Sequence, residues 1–126
     1  MASDANTVLQ ASVTKTATFQ PTTGLDLITG TPTRGLVARV IYSAASAASG
    51  TDTVTFEIDE SSDNSSFTNI VVSDQPVTLP TSGTGSGEIY MRFFTKKRYV
   101  RLSAIFSSSA HTDTITYQGD IVPTIP

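Results

Sequence analysis

From Tyr99 to Phe106 every second residue is apolar: Val100, Leu102, Ala104 and Phe106. Between them stand Tyr99, Arg101, Ser103 and Ile105, a mixed set. Side chains change face at every residue of a strand, so this stretch puts one face in a core and leaves the other half wet. It is the longest clean strand signal in the chain, and the fold is expected to be built around it.

The same period recurs elsewhere. Ser12 to Gln20 alternates, with Val13, Ala17 and Phe19 opposed to Thr14, Thr16 and Thr18. Lys15 falls in the apolar register, which marks a sheet edge. Leu25, Leu27 and Ile28 form a short apolar segment. Gly35 to Ser43 is apolar on both faces except at Arg39, which predicts a strand that is central or covered by a partner. Thr53 to Asp59 buries Val54, Phe56 and Ile58, and Phe67 to Ser73 offers Phe67, Ile70 and Val72 to the core. Val77–Leu79, bracketed by Pro76 and Pro80, reads as a short edge strand or an extended crossing segment. Glu88 to Thr95 sets Ile89, Met91 and Phe93 against Tyr90, Arg92 and Phe94, and Thr114 to Gly119 makes the last strand. Ala44–Gly50 and Thr81–Gly87 are read as loops, because neither carries a stripe to bury.

About eight short strands, with turn signals every eight to twelve residues or so, predict an all-β antiparallel sandwich, with the jelly roll favoured and an immunoglobulin-like sandwich as its competitor. The expected organisation is an N-terminal arm over 1–11, one sandwich domain over 12–122 and an extended tail over 123–126. The polar faces come from Ser and Thr, almost a third of the chain, while only 15% is charged.

Charge is uneven. Residues 1–86 hold three basic and eight acidic side chains, and residues 87–126 hold five basic and three acidic. A bipolar module of this kind lacks the broad basic face of a nucleic-acid binder. Without cysteine there is neither a disulfide framework nor a thiolate metal site. The N-terminal residues lack the basic and apolar regions of a signal peptide, and no apolar run approaches a membrane span. The expectation is a chain made in the cytoplasm, not secreted, with no membrane or nucleic-acid partner.

Catalytic and metal signals are weak. Asp59, Ser61 and Asp63 hold the first, third and fifth places of a calcium loop, but Asn64 and Ile70 stand where Gly and Glu are required. His111 has Ser109 and Asp113 nearby, yet adjacency in sequence is not triad geometry. Gly83–Gly87 lacks the lysine and the helix of a phosphate loop. No enzyme activity, cofactor or metal is expected. The basic run Lys96-Lys97-Arg98, extended by Arg92, Tyr99 and Arg101, is the candidate partner contact. A tight hairpin between the two flanking strands would join Arg92 and Arg101 into one patch.

Two segments, Thr53–Phe67 and Arg98–Ala104, resemble the capsid cement (decoration) proteins of tailed bacteriophages, in which a strand runs into an acidic turn and an aromatic and a later RYVRL-like strand follows. The resemblance implies a jelly roll on the outer surface of a capsid. It would bridge neighbouring major capsid proteins, stabilise the shell and self-associate as a dimer or trimer. The alternative is a carbohydrate- or receptor-binding sandwich module of a phage fibre or similar surface structure, using Tyr42, Tyr90, Tyr99 or Tyr117 as ring faces. A hydrolase using His111 is the third reading.

Overall fold

The computed structural model describes residues 8–27, 36–48, 51–108 and 112–122. Among these residues nine strands follow in chain order: β1 (Val8–Lys15), β2 (Leu25–Asp26), β3 (Leu36–Ala47), β4 (Thr53–Ser61), β5 (Thr68–Val72), β6 (Val77–Thr78), β7 (Gly85–Phe93), β8 (Tyr99–Phe106) and β9 (Asp113–Val122). Among the described residues there is no helix.

One sheet has the order β1-β9-β3-β7 and the other β2-β8-β4-β5, with β6 on the edge of β4. All the pairings are antiparallel. The pairs β1·β9, β2·β8, β3·β7 and β4·β5 are nested like the arms of one long hairpin, and they fall alternately in the first sheet and the second. That wrapping is the jelly roll. β3 is central, between β9 and β7, the first of the two placements its apolar faces allow.

The two inner faces make one core. Val100, Leu102 and Ala104 of β8 are fully buried and Phe106 nearly so, in the register their alternation predicts. Phe56 of β4 meets Tyr117 of β9 edge to face across the core, with ring centroids 5.0 Å apart. Each such side chain contributes about 1.5–3 kcal/mol on burial. Gly119 admits Leu102 from the opposite sheet: a Cβ there would stand 2.8 Å from Leu102 Cδ2.

Several boundaries move. β1 starts at Val8, inside the expected arm. β3 runs through to Ala47, into a stretch read as loop. It survives by a bulge, because both ladders of β3 lose register there and Ala44 takes φ 53°. β7 begins at Gly85, inside the Gly-rich linker, and β9 extends to Asp113 and Val122. In β5 a register shift against β4 brings Ile70 and Val71 onto the core and turns Val72 outward, half exposed. The residues expected in that core, Phe67 and Val72, therefore lie elsewhere.

The hairpin between Arg92 and Arg101 does not form. β7 pairs with β3 and β8 with β4, so the connection crosses from one sheet to the other. Nested pairing forces this, since consecutive strands β7 and β8 belong to different pairs.

Candidate functional site

The crossing from β7 to β8, residues 94–98, lies at one end of the sandwich and holds most of the nominated basic residues. Thr95 anchors it. Its buried hydroxyl donates to Glu60 Oε1 at 2.6 Å and accepts from the Lys97 amide at 2.9 Å. With Thr95 turned inward, Phe94 is turned outward and stays 50% exposed, and Lys96 and Lys97 are exposed beside it in the chain.

Arg98 closes the crossing. Its guanidinium donates twice to Asp26, at 2.8 Å each, and lies 5.3 Å from the Tyr99 ring centroid. The Asp26 carboxylate raises the Arg98 pKa further, by hydrogen bonding first and charge second. The pair ties the end of β2 to the start of β8.

Arg101 is used internally. On the outer face of the second sheet its Nε donates to Asp59 Oδ2 at 2.8 Å and its Nη1 to the Pro21 carbonyl at 2.8 Å. The guanidinium sits 4.3 Å from the Phe67 ring centroid. Ser103 Oγ also donates to Asp59 Oδ2, and Asn69 Nδ2 donates to Asp59 Oδ1. Asp59 is thus a buried carboxylate held by three side chains from two strands. Its neighbour Glu57 has its pKa raised, first by burial and then by the charge of Asp59. Arg92 lies in the other sheet, exposed, on the outer face of β7 with Glu88 and Tyr90. The six nominated residues therefore do not form one patch: Lys96 and Lys97 are exposed with Phe94, Arg98 and Tyr99 close the crossing, Arg101 is a staple, and Arg92 faces away on another sheet.

The acidic turn after β4 is self-contained. Asp63 Oδ1 accepts from the amides of Ser65 and Ser66 and from Ser61 Oγ. Those bonds hold its pKa below the usual carboxylate value. Asn64, at φ 59°, accepts from the Gly24 amide at 2.7 Å. No group of acidic or imidazole side chains fit for a metal occurs among the described residues. His111 and Ser109 lie outside the described residues, and Asp113 is buried at the start of β9.

Of the four tyrosines, Tyr117 is in the core and Tyr42 packs against it. Tyr99 lies under Arg98. Tyr90 borders a groove of about 340 Å³, shared with Val71, Val72, Asp74, Met91 and Arg92 between the edges of the two sheets. On the adjoining outer face Arg39 makes a two-pronged contact with Asp120, at 3.0 and 3.3 Å. Phe94 is legible in the sequence as an aromatic beside the basic run, but the groove is not, because alternation alone marks a residue as outward without saying what it borders.

No protein-family model matches the chain, and no curated protein matches it. Among solved structures it is similar to the CBM22-1 xylan-binding domain of Xyn10C from Paenibacillus barcinonensis, at 10% identity over 75% of this chain and 60% of that one, with a TM-score of 0.46. It is also similar to latent PorU from Porphyromonas gingivalis, at 15% identity over 90% of this chain and 11% of that one, TM-score 0.45. A third likeness is to the Yersinia pseudotuberculosis-derived mitogen, at 9% identity over 94% and 99%, TM-score 0.33. The chain spans 60% of the first of these and a small part of the second. The fold assignment rests on strand order and pairing.

Proposed function

We propose that this chain is an accessory structural protein of a virus shell, a capsid decoration protein that docks on major capsid protein through the β7–β8 crossing and stabilises the shell. The observation that carries the proposal is Phe94: a half-exposed aromatic next to Lys96 and Lys97, on a loop fixed by Thr95 and Arg98. Interface anchors are aromatic side chains held rigidly and ringed by polar groups, and rim lysines steer an acidic partner into place. The jelly-roll wrapping and the resemblance of Thr53–Phe67 and Arg98–Ala104 to decoration proteins point the same way.

Binding of the purified chain to undecorated capsids, followed by pelleting, tests the docking site. Phe94→Ala is expected to weaken binding by at least about 2 kcal/mol, the usual size of a hot-spot truncation. Lys97→Glu is expected to slow association and to blunt its dependence on salt. Wild-type affinity in both variants would remove the crossing as the docking site.

A second reading has its own observation. The groove beside Tyr90 joins one ring face to Asp74 and Arg92, the combination that a carbohydrate-binding site uses. Glycan-array signals lost in Tyr90→Ala would support it, and an array without signals would end it.

A further inference from the structure

Sheet edges expose unpaired backbone groups, and proteins protect them with bulges, prolines, charged side chains (lysine above all) or short length. Among the described residues four of the five edges are protected by a bulge, proline, lysine or short length. β1 carries two register shifts and Lys15, β2 and β6 are two residues each with prolines around β6, and β5 is five residues with a register shift. β7 is different. It runs in unbroken register with β3 from Gly87 to Phe93, and that span holds no proline and no lysine. Among the described residues no strand pairs with its far edge.

The outward residues along β7 are Glu88, Tyr90 and Arg92. Their order is self-complementary. If a second β7 runs antiparallel with Tyr90 opposite Tyr90, each Glu88 faces Arg92 of the second copy. On the inner face Ile89 meets Met91 of the second copy. A directly opposed pair in an antiparallel ladder is itself two-fold symmetric, so this register closes as a dimer. The same edge displays Val72, half exposed across the groove from Tyr90. Two copies would bring these grooves together.

We infer that the chain forms a two-fold homodimer by pairing β7 with β7 of a second copy, with Tyr90 at the axis and Glu88 and Arg92 fixing the register. The two sheets would merge into one eight-stranded sheet. The occupant is a second copy because the charge order is complementary to itself. The inference concerns self-association alone, and it holds or fails apart from shell binding.

Sedimentation of the full chain tests it. Wild type is expected to show a concentration-dependent monomer–dimer equilibrium. Glu88→Arg alone and Arg92→Glu alone each set like charges opposite one another twice, and should raise the dissociation constant by about tenfold or more. An equimolar mixture of the two variants restores both opposite-charge pairs and should dimerise again, as should the double swap. Thermal melts show whether each variant is folded. The chain has no cysteine, so Tyr90→Cys should give a disulfide-linked dimer on mild oxidation, whereas Glu88→Cys, displaced four residues from its counterpart, should not. A monomer at high concentration, a trimer, or folded variants whose mixture stays monomeric would overturn the pairing.

Discussion

Tyr117 shows how single residues set the stability of this core. Its ring packs on Phe56, but its hydroxyl is buried without a hydrogen-bond partner, and burial pushes its pKa up to about 12. The folded chain therefore holds this proton more tightly than the unfolded chain, whose tyrosine ionises near 10. Stability should fall as pH rises from about 10 to 12, and Tyr117→Phe should lessen that fall. At neutral pH the same substitution relieves a desolvated hydroxyl and should be neutral or stabilising by about 1 kcal/mol, read from the denaturant midpoint. A marked loss would mean that the hydroxyl has a partner. Glu57 and Asp63 act with opposite signs at acid pH. The raised pKa of Glu57 costs stability as pH rises past its ordinary value of 4.5 towards the raised one. Asp63, with its pKa lowered, adds stability above 3.8 that is lost as pH falls through the lowered value. Denaturation curves between pH 2 and 7 should show Glu57→Gln more stable than wild type at pH 7 and Asp63→Asn less stable there.

At the scale of elements, the outer face of the second sheet is held by a few cross-strand contacts. Arg101 joins β8 to β4 through Asp59 and to the segment before β2 through the Pro21 carbonyl. Arg101→Ala would leave Asp59 buried without its counter-charge and should destabilise the chain by about 3 kcal/mol. A loss below about 1 kcal/mol would contradict its role as a staple. Gly24 lies against β8 so closely that a Cβ would collide with the Val100 carbonyl oxygen. Because that contact is backbone, Gly24→Ala should cost about 1–3 kcal/mol and loosen β2, visible as faster amide exchange at Leu27. Ala44→Gly, at a bulge where φ is positive, should instead gain up to about 1 kcal/mol.

The sequence showed strands more readily than their neighbours. β8 was legible because Val100, Leu102, Ala104 and Phe106 keep a period of two without interruption. β5 was not, since the irregularity near Ile70 shifts every later side chain to the other face, and no local residue announces it. β3 was cut short for a similar reason: Ala44 to Ala47 has only small side chains, so the bulge left no pattern to read. The pairing of the strand that carries Arg92 is not legible, because alternation says nothing about neighbours, and the jelly roll sends β7 and β8 to different sheets. The exposure of Phe94 likewise depends on Thr95 finding Glu60, 35 residues earlier.

For the molecule as a whole, two surfaces divide the work. As proposed, the β7 edge would join one copy to another, and the β7–β8 crossing would present Phe94 to the shell. A dimer doubles the number of docking tips, and two tethered contacts hold a surface far longer than one. Variants that weaken pairing should then also speed release from a shell without changing the contact at Phe94. Comparing release rates for wild type and Arg92→Glu would show that coupling, and equal rates would mean that each copy binds alone.

The most direct test of the proposed function is the heat resistance of the shell itself. Undecorated capsids are incubated with saturating protein, washed and heated, and the temperature at which they release their contents is recorded. Bridging between capsid subunits predicts protein in the washed shells and a higher release temperature, with both effects reduced in Phe94→Ala. Capsids that retain no protein and open at the same temperature would contradict it.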